Sequence, residues 1–352
     1  MNETTSSRLN VICFGMGAIG TYIGGSLAAH GAKVIFIEKQ GFASGISRRD
    51  IHLQIGNETI QVRDVMVTSD VRQALAQQPA DIALLAVKSF DTSGFLESIA
   101  GFEKDIPPIL CLQNGVENEE LLVKRIGEEK VIAGSITTAV GKSALGDIKL
   151  ERLRGVGIET GHPLSQTLID WFNRAGLNAR GYSSRADMKW SKMLTNLLAN
   201  ATSAILNWTP AMVFSHPLIW QIEMEQIREA LAVMKAMSIH LVDLPDTPVI
   251  AMMTVFNLLP PAISQKIIGP PLAKGRGGKM PSFHIDLYSG KNISEVTYLN
   301  GAVARFGEGI NVAALVNQRL CRLLEDIAAG RVAKQVYADQ PEKLFRFVKE
   351  NK

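Results

Sequence analysis

The chain has 352 residues, 46% of them hydrophobic, which is enough apolar material for two domains with cores of their own. Its formal charge of +3 comes from 37 basic and 34 acidic side chains scattered along the chain, without the basic stripe that nucleic acid requires, so no nucleic-acid partner is expected. The 3 cysteines, Cys13, Cys111 and Cys321, lie among apolar neighbours at no metal-ligand spacing; they read as buried thiols and fit a reduced, cytoplasmic compartment.

Met1 to Asn10 is polar and lacks the shape of a signal peptide. The apolar run Asn10 to Phe14 reads as a strand entering a glycine turn, followed by a helix from Gly20 to His30 and a second strand from Lys33 to Glu38. Further buried strands are predicted at Asp81 to Val87 and Ile109 to Leu112. This βαβ rhythm predicts a parallel sheet with helices on both faces, an α/β domain of the Rossmann-like, dinucleotide-binding kind. After about Ser183 the strand signals stop, and Ala186 to Leu206 and Leu218 to Met237 carry helical periodicity. The second half is therefore expected to be mostly α-helical. The polar stretch Gly181 to Ser184 sets the expected boundary, giving a dinucleotide-binding domain over 1–183 and a helical substrate-binding domain over 184–352, with a hinge near Ser183.

The longest apolar stretch, Val249 to Ile263, is interrupted by Asn257, Pro260 and Pro261 and falls short of the ~20 residues that span a bilayer, so no membrane segment is expected. Leu272 to Met280, LAKGRGGKM, reads as a mobile loop, and the charged tail Val332 to Lys352 as peripheral. The 6 histidines form no triad and no zinc spacing, and no metal is expected.

The strongest local signal is GMGAIG, comprising Gly15, Met16, Gly17, Ala18, Ile19 and Gly20, placed directly between the first strand and the first helix. Gly15 serves the tight turn, Gly17 lets backbone approach a pyrophosphate, and Gly20 permits close helix–strand packing. The pyrophosphate would rest on the helix N-terminus, where unpaired N–H groups favour negative charge. At the end of the second strand Glu38 suits the ribose 2′-hydroxyl of NAD, whereas Lys39 would attract the 2′-phosphate of NADP. The two residues point in opposite directions.

Later in the chain Lys192, Asn196 and Asn200 recur at intervals of four, a step of only about 40° around a helix, so they share one face. Met193, Leu194, Leu197 and Leu198 flank that polar stripe, and an ammonium and amides on a largely buried helix need partners. A substrate with a carboxylate, a keto group and a hydroxyl would supply them.

Four segments together resemble the ketopantoate reductase family, from Asn10 to about Ala328: AVKSFDT with Lys88, LQNGVENE with Asn114, MKWSKMLTNLLANATSAIL with Lys192, and KMPSFHIDLYSGKNISEVTYLNG with Ser282, Asp286 and Glu295. The resemblance implies an NAD(P)H-dependent reduction of 2-dehydropantoate (ketopantoate) to pantoate in pantothenate and coenzyme A biosynthesis. It slightly favours NADP(H), with NAD(H) kept open by Glu38. A helical second domain like that of 6-phosphogluconate dehydrogenase is implied, as is a small 2-keto acid partner; a homodimer is compatible. By resemblance Lys88 approaches the cofactor phosphate, Asn114 lies near the nicotinamide and the substrate carbonyl, and Lys192 is the general acid. Glu295 balances the lysine and holds a substrate hydroxyl, Ser282 meets the carboxylate, and Asn196 and Asn200 bond the remaining oxygens. Asp286 reads as a structural residue and His284 stays unassigned.

Two departures stand out: the interval from Asp286 to Glu295 is one residue longer than the family pattern, and the proline-rich stretch Met237 to Met280 exceeds the connection in compact members. The long stretch keeps open a paralogous reductase of another branched 2-keto acid. A dinucleotide sensor without catalysis is a third alternative, against which Lys192, Asn196, Ser282 and Glu295 argue together.

Overall fold

The computed structural model describes residues 8–38, 46–276 and 279–349. Two compact units result, one holding residues up to Met188 together with Leu244–Thr247, the other holding Lys189–Asp243 and the residues from Pro248 on. The division falls inside a helix, a little beyond the stretch 181–184 where the sequence places its boundary.

In the first unit β1 (Asn10–Phe14), α1 (Ala18–Ala29) and β2 (Lys33–Ile37) form the opening βαβ. A hairpin of β3 (Ile46–Ile55) and β4 (Glu58–Thr68) follows, then α2 (Val71–Gln77), β5 (Ile82–Leu85) and α3 (Thr92–Ser98). The unit continues through β6 (Ile109–Cys111), α4 (Asn118–Ile126) and β7 (Val131–Ile136). Strands β8 (Ala139–Ala144), β9 (Asp147–Arg152) and β10 (Val156–Glu159), then α5 (Ser165–Arg174) and β11 (Ala179–Tyr182), complete it. The sheet runs β11-β10-β7-β6-β5-β1-β2-β4-β3-β9-β8.

Pairing is parallel from β7 across to β4, as the βαβ rhythm requires, but antiparallel at β4–β3, β9–β8 and β7–β10, which corrects the expectation of a parallel sheet. At the hairpins β3–β4 and β8–β9 the cause is connection length. Strands joined by a tight turn, such as the one at Gly56 (φ 61°) or Gly146 (φ 87°), cannot run parallel, because that needs a crossover of a dozen residues or more. Alternate residues of the central strands enter different cores. Val11, Cys13, Val34 and Phe36 pack with Tyr22, Ile23 and Leu27 of α1, whereas Ile12, Phe14, Ile35 and Ile37 pack with Phe95, Ile99 and Leu122 on the opposite face. Each such side chain, taken fully out of water, contributes roughly 1.5–3 kcal/mol.

The second unit is helical throughout its described elements. α6 (Arg185–Leu197) leads into it, followed by α7 (Ala201–Leu206), α8 (Pro210–Ser215) and α9 (Pro217–Ala236). Then come α10 (Val249–Leu258), α11 (Pro261–Arg276), α12 (Ser282–Tyr288), α13 (Asn300–Gly309), α14 (Leu315–Ala328) and α15 (Pro341–Lys349). Three expectations are revised here. The single helix expected over 186–206 is two helices, broken at Leu198–Asn200, where Ala199 adopts φ 51°. Within the stretch read as a loop, Leu272–Arg276 continues α11 past Pro270 and Pro271, and Gly277 and Gly278 lie outside the described residues. The charged tail is docked: Leu344 and Val348, one turn apart, are 0% and 1% exposed, and Asp339 accepts from Trp208 Nε1 at 2.7 Å. Among the described residues no helix is long and apolar enough to cross a membrane.

Candidate active site

The turn from β1 into α1 is shaped by its glycines. Gly15 has φ 94°, and a Cβ there would meet Val87 Cγ1 at 2.9 Å. At Gly20 a Cβ would fall 1.9 Å from the Gly15 carbonyl oxygen, so only hydrogen allows α1 to sit this close to the turn. Gly17 differs: it is the N-cap of α1, lacks a side-chain cap, and a Cβ there would meet nothing within 4 Å. The first turn of α1 carries no acidic side chain, and its backbone donors suit an anion. The residues around this space, Gly15 to Gly20, could hold a dinucleotide pyrophosphate. Glu38, at the end of β2, accepts from Met16 N at 3.0 Å and so pins the loop to the strand beside it. Lys39 lies outside the described residues. Beneath the loop, burial and then the Glu38 carboxylate push the Cys13 thiol pKa up, leaving an inert thiol.

The loops after β5 and β6 carry half-buried Lys88 and Asn114 and are stapled together by a polar network that sequence reading missed. Gln113 Nε2 donates to Lys88 O at 3.1 Å and to Thr92 Oγ1 at 2.9 Å. Ser89 Oγ and Asn118 Nδ2 donate to Asn114 O at 2.8 and 2.7 Å. Gln113, Thr92, Ser89 and Asn118 are buried, so each bond is made where an unpaired group would be expensive. The visible signal was Gln113 and Asn118 beside Asn114 in LQNGVENE.

In the helical unit Lys192 Nζ donates to Asn196 Oδ1 at 2.8 Å, one turn along α6. Met193, Leu194 and Leu197 are buried, and Lys192 and Asn196 are half-buried, so the polar stripe emerges at the edge of an apolar core. Asn200 has left that helix and stands at the N-cap position of α7. There its Oδ1 accepts from Phe283 N at 3.1 Å and its Nδ2 donates to Ser282 Oγ at 3.5 Å, which ties α7 to the start of α12. Lys192 thus meets Asn196, and Asn200 meets Ser282. Glu295 opens a 3-10 turn, Glu295–Tyr298, capped by the Ser294 hydroxyl; it is 2% exposed, against the solvated helix-start carboxylate that its position alone would allow. Asp286 is buried and pairs with Lys291 Nζ at 2.7 Å, holding the turn that follows α12. His284 stacks on Tyr288 and its Nε2 lies 2.7 Å from Asn207 Oδ1; burial, then Lys334, lowers its pKa. Among the described residues no group of three or more His, Cys, Asp or Glu is placed to hold a metal ion.

A glycine-lined cradle on a parallel βαβ, followed in the same chain by a helical unit built around a partnered lysine, defines the class of two-domain nucleotide-dependent oxidoreductases. The family then follows from comparison. Residues 11–161 match the model of "Ketopantoate reductase PanE/ApbA" and residues 186–328 that of its C-terminal domain, and the chain belongs to this family. A relative from Archaeoglobus fulgidus, named 2-dehydropantoate 2-reductase, is 25% identical over 322 residues, covering 90% of this chain and 97% of its own. The crystal structure of a PanE/ApbA family ketopantoate reductase from Ralstonia eutropha superposes with a TM-score of 0.73 at 25% identity, over 91% of this chain and 99% of that one. A D-mandelate dehydrogenase, solved with NADH and anilino(oxo)acetate, has the same fold: TM-score 0.72 at 21% identity, over 92% of this chain and 99% of that one.

Proposed function

We propose that the chain reduces ketopantoate to pantoate with a nicotinamide dinucleotide, a step of pantothenate synthesis, and that Lys192 is the general acid. The observation that carries this reading is the Lys192 ammonium held by Asn196 Oδ1 at 2.8 Å on the half-buried face of α6. When bound, the nicotinamide supplies the hydride to the keto carbon. The residues of the chain manage the rest. As negative charge builds on the keto oxygen, Lys192 Nζ donates a proton to it, and Asn196 fixes where that proton points. A positioned donor of this kind contributes roughly 10²–10⁴-fold. Glu295, kept from solvent, balances the ammonium and accepts from a substrate hydroxyl. The Ser282 hydroxyl donates to the substrate carboxylate, and Asn196 and Asn200 bond the remaining oxygens.

On the nucleotide side, Gly15, Met16, Gly17, Ala18, Ile19 and Gly20 supply the pyrophosphate cradle, Lys88 the counter-charge for a phosphate, and Asn114 the amide near the nicotinamide and the keto group. Glu38, anchored through Met16 N, accepts from a ribose 2′-hydroxyl and repels a 2′-phosphate, which supports NADH over NADPH.

The test is the oxidation of NADH and of NADPH on adding ketopantoate, with Lys192→Ala alongside. Turnover by the wild type and a loss of at least ~10²-fold in the variant are expected. A variant as active as the wild type would refute the lysine assignment. A reductase of another branched 2-keto acid is the second reading, supported by α10 and α11, which fill much of the long 237–280 stretch and pack on α9 and α8. A panel of 2-keto acids decides between them: ketopantoate should give the highest kcat/KM.

A further inference from the structure

The break between α6 and α7 is built by a residue far from it in sequence. Glu223, on α9, is 0% exposed, and its carboxylate accepts from Ala199 N at 2.7 Å and from the Thr202 hydroxyl at 2.7 Å. Ala199 is the left-handed residue of the joint, and its N–H is turned out of the α6 hydrogen-bond ladder toward that carboxylate. Gln226 Nε2 donates to the same carboxylate at 2.8 Å, while its Oε1 accepts from Asn300 Nδ2 at 2.9 Å. Asn300 is the first residue of α13, separated by Leu299 alone from the 3-10 turn that begins with Glu295. One buried network therefore joins the segment carrying Asn200 to the segment following Glu295.

A carboxylate inside a helical core is unfavourable unless donors surround it, and an apolar side chain of similar volume would pack there at no such disadvantage. What the carboxylate does that a leucine cannot is accept two donors from the joint. If α6 continued unbroken, Asn200 would sit one turn beyond Asn196 on the same helix. With the joint in place, Asn200 instead reaches Phe283 N and Ser282.

Resting on the reductase reading above, we propose that Glu223 is a positioning residue for substrate binding: it fixes the α6–α7 joint so that Asn200 and Ser282 meet while Lys192 and Asn196 stay on α6. Its effect passes through Ala199, Thr202 and Gln226, without contact with substrate.

Two variants test this. Glu223→Gln keeps the shape: a carbonyl in the place of Oε2 can still accept from Ala199 N and Gln226 Nε2, but the amide in the place of Oε1 cannot accept from the Thr202 hydroxyl. Glu223→Leu fills the volume and removes both acceptors, and is expected to fold because a buried charge is exchanged for an apolar group. Each is assayed for kcat and KM with ketopantoate and for nucleotide Kd by fluorescence. Glu223→Gln should raise the keto-acid KM about 3–10-fold with kcat nearly unchanged, and Glu223→Leu should lower kcat/KM at least ~30-fold, both with wild-type nucleotide Kd. Glu223→Gln with KM within about 2-fold of wild type overturns the proposal, whether or not the leucine variant folds. So does a loss of nucleotide affinity equal to the loss of activity, which would mean general damage. A wild type inert with ketopantoate counts against the functional reading; an active wild type with an unchanged Glu223→Gln counts against this inference alone.

Discussion

Gly17→Ala and Gly20→Ala form a matched pair, because the two glycines of one motif have opposite surroundings. The new Cβ at Gly20 would lie 1.9 Å from the Gly15 carbonyl oxygen, where ordinary contact starts at 3.4 Å. Either α1 retreats by roughly 1.5 Å or the turn opens, and the obstructing atom is backbone, so it cannot rotate aside. Overpacking commonly costs about 1–3 kcal/mol, and a backbone obstacle sets the expectation at the upper end, about 3 kcal/mol. The Cβ at Gly17 meets nothing, and Gly17 has φ −74°, so that variant loses only the N-cap preference, about 1 kcal/mol or less. Its methyl group does enter the space read as the pyrophosphate cradle, and nucleotide should bind about tenfold more weakly. At a nucleotide concentration of 100 times the wild-type Kd, ligand stabilises the wild type by about 2.7 kcal/mol and Gly17→Ala by only about 1.4 kcal/mol. Urea unfolding with and without NADH or NADPH, plus Kd from nicotinamide fluorescence, reads both quantities. Two results would refute the reasoning: Gly17→Ala binding nucleotide as the wild type does, or Gly20→Ala unfolding at the wild-type midpoint.

Further outcomes follow from the same geometry. Glu38→Gln keeps an acceptor for Met16 N but removes the charge, so the kcat/KM ratio of NADPH to NADH should rise roughly 10-fold; an unchanged ratio would free Glu38 of any part in cofactor choice. His284 has its pKa lowered, so the unfolded state takes up its proton first as pH falls, and its stabilising contribution is present above the unfolded value of about 6.5 and lost as pH falls through the folded one. The difference in unfolding midpoint between wild type and His284→Phe, which keeps the stack on Tyr288, should shrink from pH 8 to pH 5.5, and a constant difference would contradict this. All 3 cysteines are buried, and burial pushes the Cys321 thiol up to about 12. A thiol reagent at pH 8 should label the folded protein slowly and all 3 sites once it is unfolded; rapid labelling of the folded form would show that one of these sites opens.

Much of the fold was legible because the signals are local. The strand before GMGAIG, the helix after it and the second strand show in apolar runs and glycine spacing, and β1 occupies the residues read for it. The hairpins β3–β4 and β8–β9 were passed over, although glycine turns between alternating segments are a readable sign. Spacing of four placed Lys192 and Asn196 together, and they are bonded. Extended to Asn200, the same rule failed, since nothing near Ala199 in the chain marks the break.

The sequence by itself determined the opening βαβ, the glycine turn, the switch to a helical second half and the family, since each is written in neighbouring residues whose spacing repeats locally. Only the tertiary structure decided that Glu223, 24 residues further along, turns the chain at Ala199, that Asn200 leaves its helix for Ser282, that Glu295 is buried, and that the tail docks through Leu344 and Val348. These are bonds and contacts between segments distant in the chain. A buried donor must find its acceptor wherever the fold brings one, and no local pattern says where that is.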